Sequence, residues 1–176
     1  MKKKFLAFVA FGVIVLIGYG LIKATSLGYS IIKAETDNTT TDNTKKQKSV
    51  AYLNSIVNLV KSHDKEIHKL PHDADVNHSA EIYRQVAKLN SRFASAIATL
   101  PTNGVDPELI TLGSETSKFY NIRAQYLIDF VNSQSTKDHD RFFEYIRLQG
   151  PILKKETETI MLQFFKKYNI KYSINN

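Results

Sequence analysis

From Ser49 onward, large apolar residues recur every three or four positions, and this spacing limits the fold to packed helices. In the cleanest stretch Ile82, Val86, Leu89, Phe93, Ile97 and Leu100 step 4-3-4-4-3. A helix with about 3.6 residues per turn gathers these side chains on one side, whereas a strand would scatter them over both faces. An earlier stretch repeats the rhythm with Val50, Leu53, Ile56 or Val57, Val60, Ile67 and Leu70, and Pro71 stops it. A polar stretch, His72 to Ser79, separates the two helices. The second ends at Pro101, and Asn103-Gly104 makes a turn. Asp106-Pro107-Glu108 then opens a third helix, with a capping carboxylate, a proline at the first helical position and an acid near the positive end of the helix dipole. Its expected core face is Leu109, Leu112, Thr116, Tyr120, Ala124, Leu127 and Val131, widened by Phe119, Tyr126 and Phe130. After a polar turn at Asn132 to Thr136, the fourth helix offers Phe142, Phe143, Ile146, Ile152, Leu153, Ile160, Leu162, Phe164 and Phe165. Gly150-Pro151 interrupts it, and a kink or short break is expected there. Long amphipathic helices with short connections predict an all-α domain, an antiparallel up-down-up-down four-helix bundle. Only the tail after Asn169 has any sheet-forming character.

The N-terminus obeys a different rule. Met1 to Lys4 is cationic, and Phe5 to Ile22 is eighteen residues without a charge. A helix of that length spans roughly 27 Å, close to the hydrocarbon core of a bilayer. The lysines ahead of it are expected to stay in the cytoplasm, which places the rest of the chain outside. A signal peptide has a shorter apolar region and a small-residue cleavage site. The candidates here, after Gly20, Ala24 and Ala34, form no A-x-A pattern, so an uncleaved signal anchor is preferred and a secreted product is the alternative. Residues 35 to 49 carry no apolar side chain and read as a flexible tether. The chain thus divides into an anchor or signal peptide with its flank (1–34), a disordered polar linker (35–49) and a four-helix domain (50–176).

The formal charge of +7 suggests nucleic acid until it is located. Five cationic residues precede Glu35 and every acidic residue lies at or after it, leaving nineteen cationic against seventeen acidic residues from there on. The basicity belongs mostly to the targeting segment, and no nucleic-acid partner is expected. With no cysteine there is no disulfide frame, thiolate metal site or lipid-acylated cysteine.

Candidate chemistry collects between the first two helices, where His63, His68, His72 and His78 mingle with Asp64, Glu66, Asp73 and Asp75. Neutral imidazole and carboxylate suit Zn, Cu or Ni, so His63, Asp64, His68 and His72 are the candidate metal ligands. Asp64 and His68 share a helical face. Pro71 breaks the spacing between His68 and His72, and polar connections collect such residues without function. Ser62-x-x-Lys65 has the spacing of a lysine-activated serine, but the companion motifs are missing and a second copy at Ser30 and Lys33 points to coincidence. Asn38-Thr39-Thr40 fits a glycosylation sequon, which matters only in a eukaryotic secretory route. No catalytic residue and no cofactor is expected. The aromatics of the third and fourth helices read as core, with one member of Phe142-Phe143 and of Phe164-Phe165 free to reach the surface. The expected function is a non-enzymatic, membrane-tethered module outside the cytoplasm that binds a protein, itself or the envelope. The alternative is a small-ligand or metal-binding bundle.

Overall fold

The computed structural model describes residues 30–31, 41–70, 76–170 and 172–173. The apolar run 5–22, Asn38, residues 35–40 of the polar stretch and His72 lie outside them. The chain forms β1 (Ser30–Ile31), α1 (Thr41–Ile67), α2 (Val76–Ala98), α3 (Pro107–Ser133), α4 (Thr136–Lys167) and β2 (Tyr172–Ser173). The described residues are therefore all-helical, with four helices, to which one two-residue antiparallel pairing is added. That pairing sets Ser30 opposite Ser173 and Ile31 opposite Tyr172. Among the described residues no helix is long and apolar enough to cross a membrane.

Successive helices run antiparallel. His63 of α1 meets Asn90 and Phe93 of α2. Tyr83 near the start of α2 meets Phe130 near the end of α3, while Phe93 meets Tyr120. Phe130 of α3 meets His139 at the start of α4, and Phe119 meets Tyr145. The expected face of α3 is buried throughout, from Leu109 to Val131.

Four details depart from the sequence reading. Helix α1 begins at Thr41, inside the stretch read as a tether. Lys45, Lys46, Gln47 and Lys48 are good helix formers. Ser49 is fully buried and accepts a hydrogen bond from the Asp106 amide at 2.8 Å, which fixes this polar start on the domain. Asp106 does sit at the N-cap of α3, with extended backbone and Pro107 behind it, but its carboxylate makes no cap hydrogen bond. It accepts instead from Lys167 Nζ (2.6 Å) and Tyr168 Oη (2.9 Å), because the end of α4 brings a cation and a hydroxyl to it. Helix α4 runs unbroken through Pro151. Pro151 lies on the exposed side, where a carbonyl deprived of its partner faces solvent. Finally, Phe164 and Phe165 are both buried in the apolar cluster they share with residues of α1, α2 and α3, whereas Ile152 and Leu162 are exposed.

The core falls into two apolar clusters. One joins Leu53, Ile56 and Val60 to Phe93, Ile97, Leu109, Leu112 and the second half of α4. The other joins Tyr83, Val86 and Ala87 to Ala124, Leu127, Val131 and the first half of α4. At one end Gly104 turns the chain with φ +77°. Gly113 lets α3 approach α1 so closely that a Cβ there would lie 2.0 Å from Tyr52 Oη.

Candidate functional site

Between the two clusters lies a layer of polar and aromatic groups supplied in register by three helices. On α1, His63 stands between Val60 of one cluster and Ile67 of the other. On α2, Asn90 stands between Val86 and Phe93. On α3, Arg123 stands between Tyr120 and Leu127. Tyr145 of α4 packs against both clusters. Asn90 is 0% and Arg123 4% exposed.

The contacts run as a chain. His63 Nε2 pairs with Asn90 Oδ1 at 2.9 Å. The imidazole lies against Phe93 (4.9 Å between centroids) and edge-on to Tyr120 (5.1 Å). The Arg123 guanidinium sits 4.9 Å from the Tyr120 ring centre and 5.6 Å from that of Phe119. Burial, reinforced by the positive Arg123, pushes the His63 pKa from 6.5 down to about 4, against the upward pull of the Asn90 hydrogen bond and of Glu66. Burial also pushes the Tyr120 and Tyr145 hydroxyls up, so both are neutral at physiological pH. Burial lowers the Arg123 pKa, opposed by Tyr120, yet a guanidinium stays charged under any ordinary condition.

The layer is under-satisfied. Among the described residues Arg123 makes no ion pair, and its buried Nε has no acceptor. Asn90 Nδ2 also lacks one. Contact with two ring faces returns about 0.5–2 kcal/mol to a buried cation, while burying an unpaired charge costs several kcal/mol even after relaxation. Other buried polar groups are settled locally: Thr116 and Thr157 bond to carbonyls one turn back, and Ser117 donates across to Ala94 O at 2.9 Å. A crevice of about 80 Å³ opens between α1 and α2 beside this layer, with His63 and Phe93 on its floor and Glu66 and Arg92 at its mouth. Glu66 and Arg92 form an ion pair across the two helices. A wider, open groove of about 270 Å³ runs between α2 and α3, with Arg84, Lys88 and Ile128 on its rim.

Of the predicted ligands, His63, Asp64 and His68 are described and do not converge on one point. His63 turns inward to Asn90. Asp64 and His68 do pair: His68 Nδ1 donates to the Asp64 carbonyl at 2.9 Å and lies 3.1 Å from its carboxylate. Among the described residues no group of three His, Cys, Asp or Glu is placed to hold a metal ion; His72, the fourth predicted ligand, lies outside them. Sequence reasoning missed Asn90 and Arg123. Their signal was position: each occupies a core register on its helix, Asn90 four residues after Val86 and Arg123 three after Tyr120.

A second feature lies on the outside of α4. Leu148, Ile152 and Leu162 are 47%, 49% and 45% exposed. At about 100° per residue they fall within about 80° of one another around the helix. Arg141, Lys155 and Lys166 share this face with a single acid, Glu144.

Comparison with protein-family models, with curated proteins and with solved structures finds no match for this chain.

Proposed function

We propose that the chain is a non-enzymatic helical module, tethered to a membrane through residues 5–22 and displayed outside the cytoplasm, that binds another protein through the outer face of α4. The observation that carries this reading is the stripe Leu148, Ile152 and Leu162, three large aliphatics on one helical face with nothing over them among the described residues. Isolated apolar side chains are ordinary on a surface, but an aligned set on one helix matches helix-in-groove recognition. Arg141, Lys155 and Lys166 around the stripe ask for a partner surface that is apolar at its centre and acidic at its edge. The tether rests on the cationic start and the uncharged run of eighteen residues.

Photo-crosslinking tests the docking face. A photoreactive residue at Ile152 or Leu162 in the full chain should give one discrete protein adduct, and the same probe at exposed Lys88 should not. Adducts absent at Ile152 and Leu162, or identical at Lys88, would remove the α4 surface. Recovery of the full chain in the soluble fraction after a high-salt wash would remove the tether. A second reading, a small-ligand bundle outside the cytoplasm, is favoured by the buried Arg123, which makes no ion pair among the described residues and whose Nε lacks an acceptor.

A further inference from the structure

We infer that the polar layer around Arg123 is a binding site for a small carboxylate, an inference that rests on the small-ligand reading just given. Three observations converge. The first is charge: Arg123 is buried with no ion pair among the described residues, and the groups facing it, the Tyr120 and Tyr145 hydroxyls, are neutral. The second is donor geometry: Arg123 Nε and Asn90 Nδ2, both completely enclosed, lack acceptors. Both side chains border the His63–Tyr120 contact. The third is access: a crevice of about 80 Å³ lined by His63 and Phe93 opens at the surface beside this layer, one side chain away from Asn90 and Tyr120, which those two residues touch.

The chemistry selects among occupants. A guanidinium and a primary amide present planar N–H donors, which a planar two-oxygen anion matches better than a spherical one. The aromatic neighbours, Phe93 at the crevice and Phe119 and Tyr120 against Arg123, favour a short apolar tail and disfavour a second charge. His63, held neutral, adds no competing cation. Asp64, whose charge is felt at Tyr120, keeps its enclosed Oδ1 3.1 Å from His68 Nδ1. The ligand is therefore a monocarboxylate of formate or acetate size, or the carboxylate end of a slightly larger molecule.

The test is thermal melting of the full chain in nonionic detergent, with sodium formate, acetate, chloride and sulfate exchanged at constant ionic strength. Formate and acetate should raise Tm saturably, by about 3 °C or more, while chloride should not and sulfate should give only the non-saturating rise of a salt excluded from the protein surface. Asn90→Asp plants a carboxylate inside the layer and should abolish the response. The double variant Arg84→Ala/Lys88→Ala, which strips the open groove between α2 and α3, should keep it. A response to chloride equal to that for formate would leave a ligand-binding bundle but overturn the carboxylate. No saturable response to any anion would overturn both. Loss of the response in the Arg84 and Lys88 variant would move the site elsewhere. Should Asn90→Asp fail to fold, saturation transfer on the wild-type chain decides: irradiation of the aromatic protons should reach the acetate methyl, and no transfer would overturn the site.

Discussion

Acid should weaken this fold in a window set by one histidine. His63 titrates near 6.5 in an unfolded chain and near 4 in the structure. Between those two values the unfolded chain binds a proton that the folded chain refuses. Stability is therefore fully present above about pH 6.5 and falls as pH drops toward 4. At about 1.4 kcal/mol per pH unit the whole effect is roughly 3 kcal/mol, of which about 2 kcal/mol is lost by pH 5. That is a large share of the 5–15 kcal/mol typical of a domain. Urea unfolding of the full chain in mild detergent at pH 7, 6 and 5 reads it directly. With a slope of about 1–3 kcal/mol per molar, the midpoint should fall by roughly 1 M between pH 7 and 5. In His63→Phe, which keeps a ring against Phe93 and Tyr120, this dependence should disappear even if the variant is less stable overall. A midpoint flat from pH 7 to 5, or an equal slope in His63→Phe, would refute the reasoning.

Two further outcomes follow from the packing. Gly113→Ala should lose about 1–3 kcal/mol although alanine is the better helix former, since its Cβ would sit 2.0 Å from Tyr52 Oη. Tyr52→Phe in the same chain should recover part of the loss, and a double-mutant cycle by chemical denaturation checks the coupling. Asp106→Asn should cost about 1–3 kcal/mol by neutralising the carboxylate that accepts from Lys167 and Tyr168, with Glu108 at 4.0 Å still facing Lys167, and hydrogen exchange should quicken first over 164–170, at the end of α4. Burial alone would raise the Asp106 pKa, but the hydrogen bonds from Lys167 and Tyr168 and the charges of Lys167 and Lys45 outweigh it and lower it. This part of the stability should accordingly persist above about pH 4 and fade below it.

How much could be read from the chain alone depends on which rule governed each residue. The core face of α3 follows from spacing, because seven positions on one side of a helix admit one burial pattern. The start of α1 did not follow from spacing: Lys45 to Lys48 have helix propensity but no apolar period, and the segment is helped into place by a hydrogen bond between Ser49 and a loop amide distant in sequence and by the attraction of Lys45 to Asp106. Asp106 was legible as a cap by position. Its actual partners arrive from α4, some sixty residues on, and no local pattern encodes that meeting. Leu162 shows the converse limit. It continues the apolar rhythm of α4 yet stays exposed, because α4 packs on α3 through its first half and on the far cluster through its second. Nor does spacing show that His63 meets Asn90 on α2, a partner twenty-seven residues away.

A polar layer at mid-height has a structural explanation, and it makes a distinct demand. One buried polar contact can set the register of packed helices at some cost in stability. His63 and Asn90 are enough for that: they join α1 to α2 at one height and complete one good hydrogen bond. Arg123 exceeds the requirement. It adds a full charge to a layer whose register is already set, stands on two aromatic faces, and leaves Nε without an acceptor. A methionine at 123 would fill similar space without the desolvation cost. If register were the layer's whole task, Arg123→Met would be at least as stable as the parent in every salt. If the layer receives a carboxylate, Arg123→Met gains in plain buffer and loses the formate response. The two explanations therefore part on a comparison of melting curves in two salts.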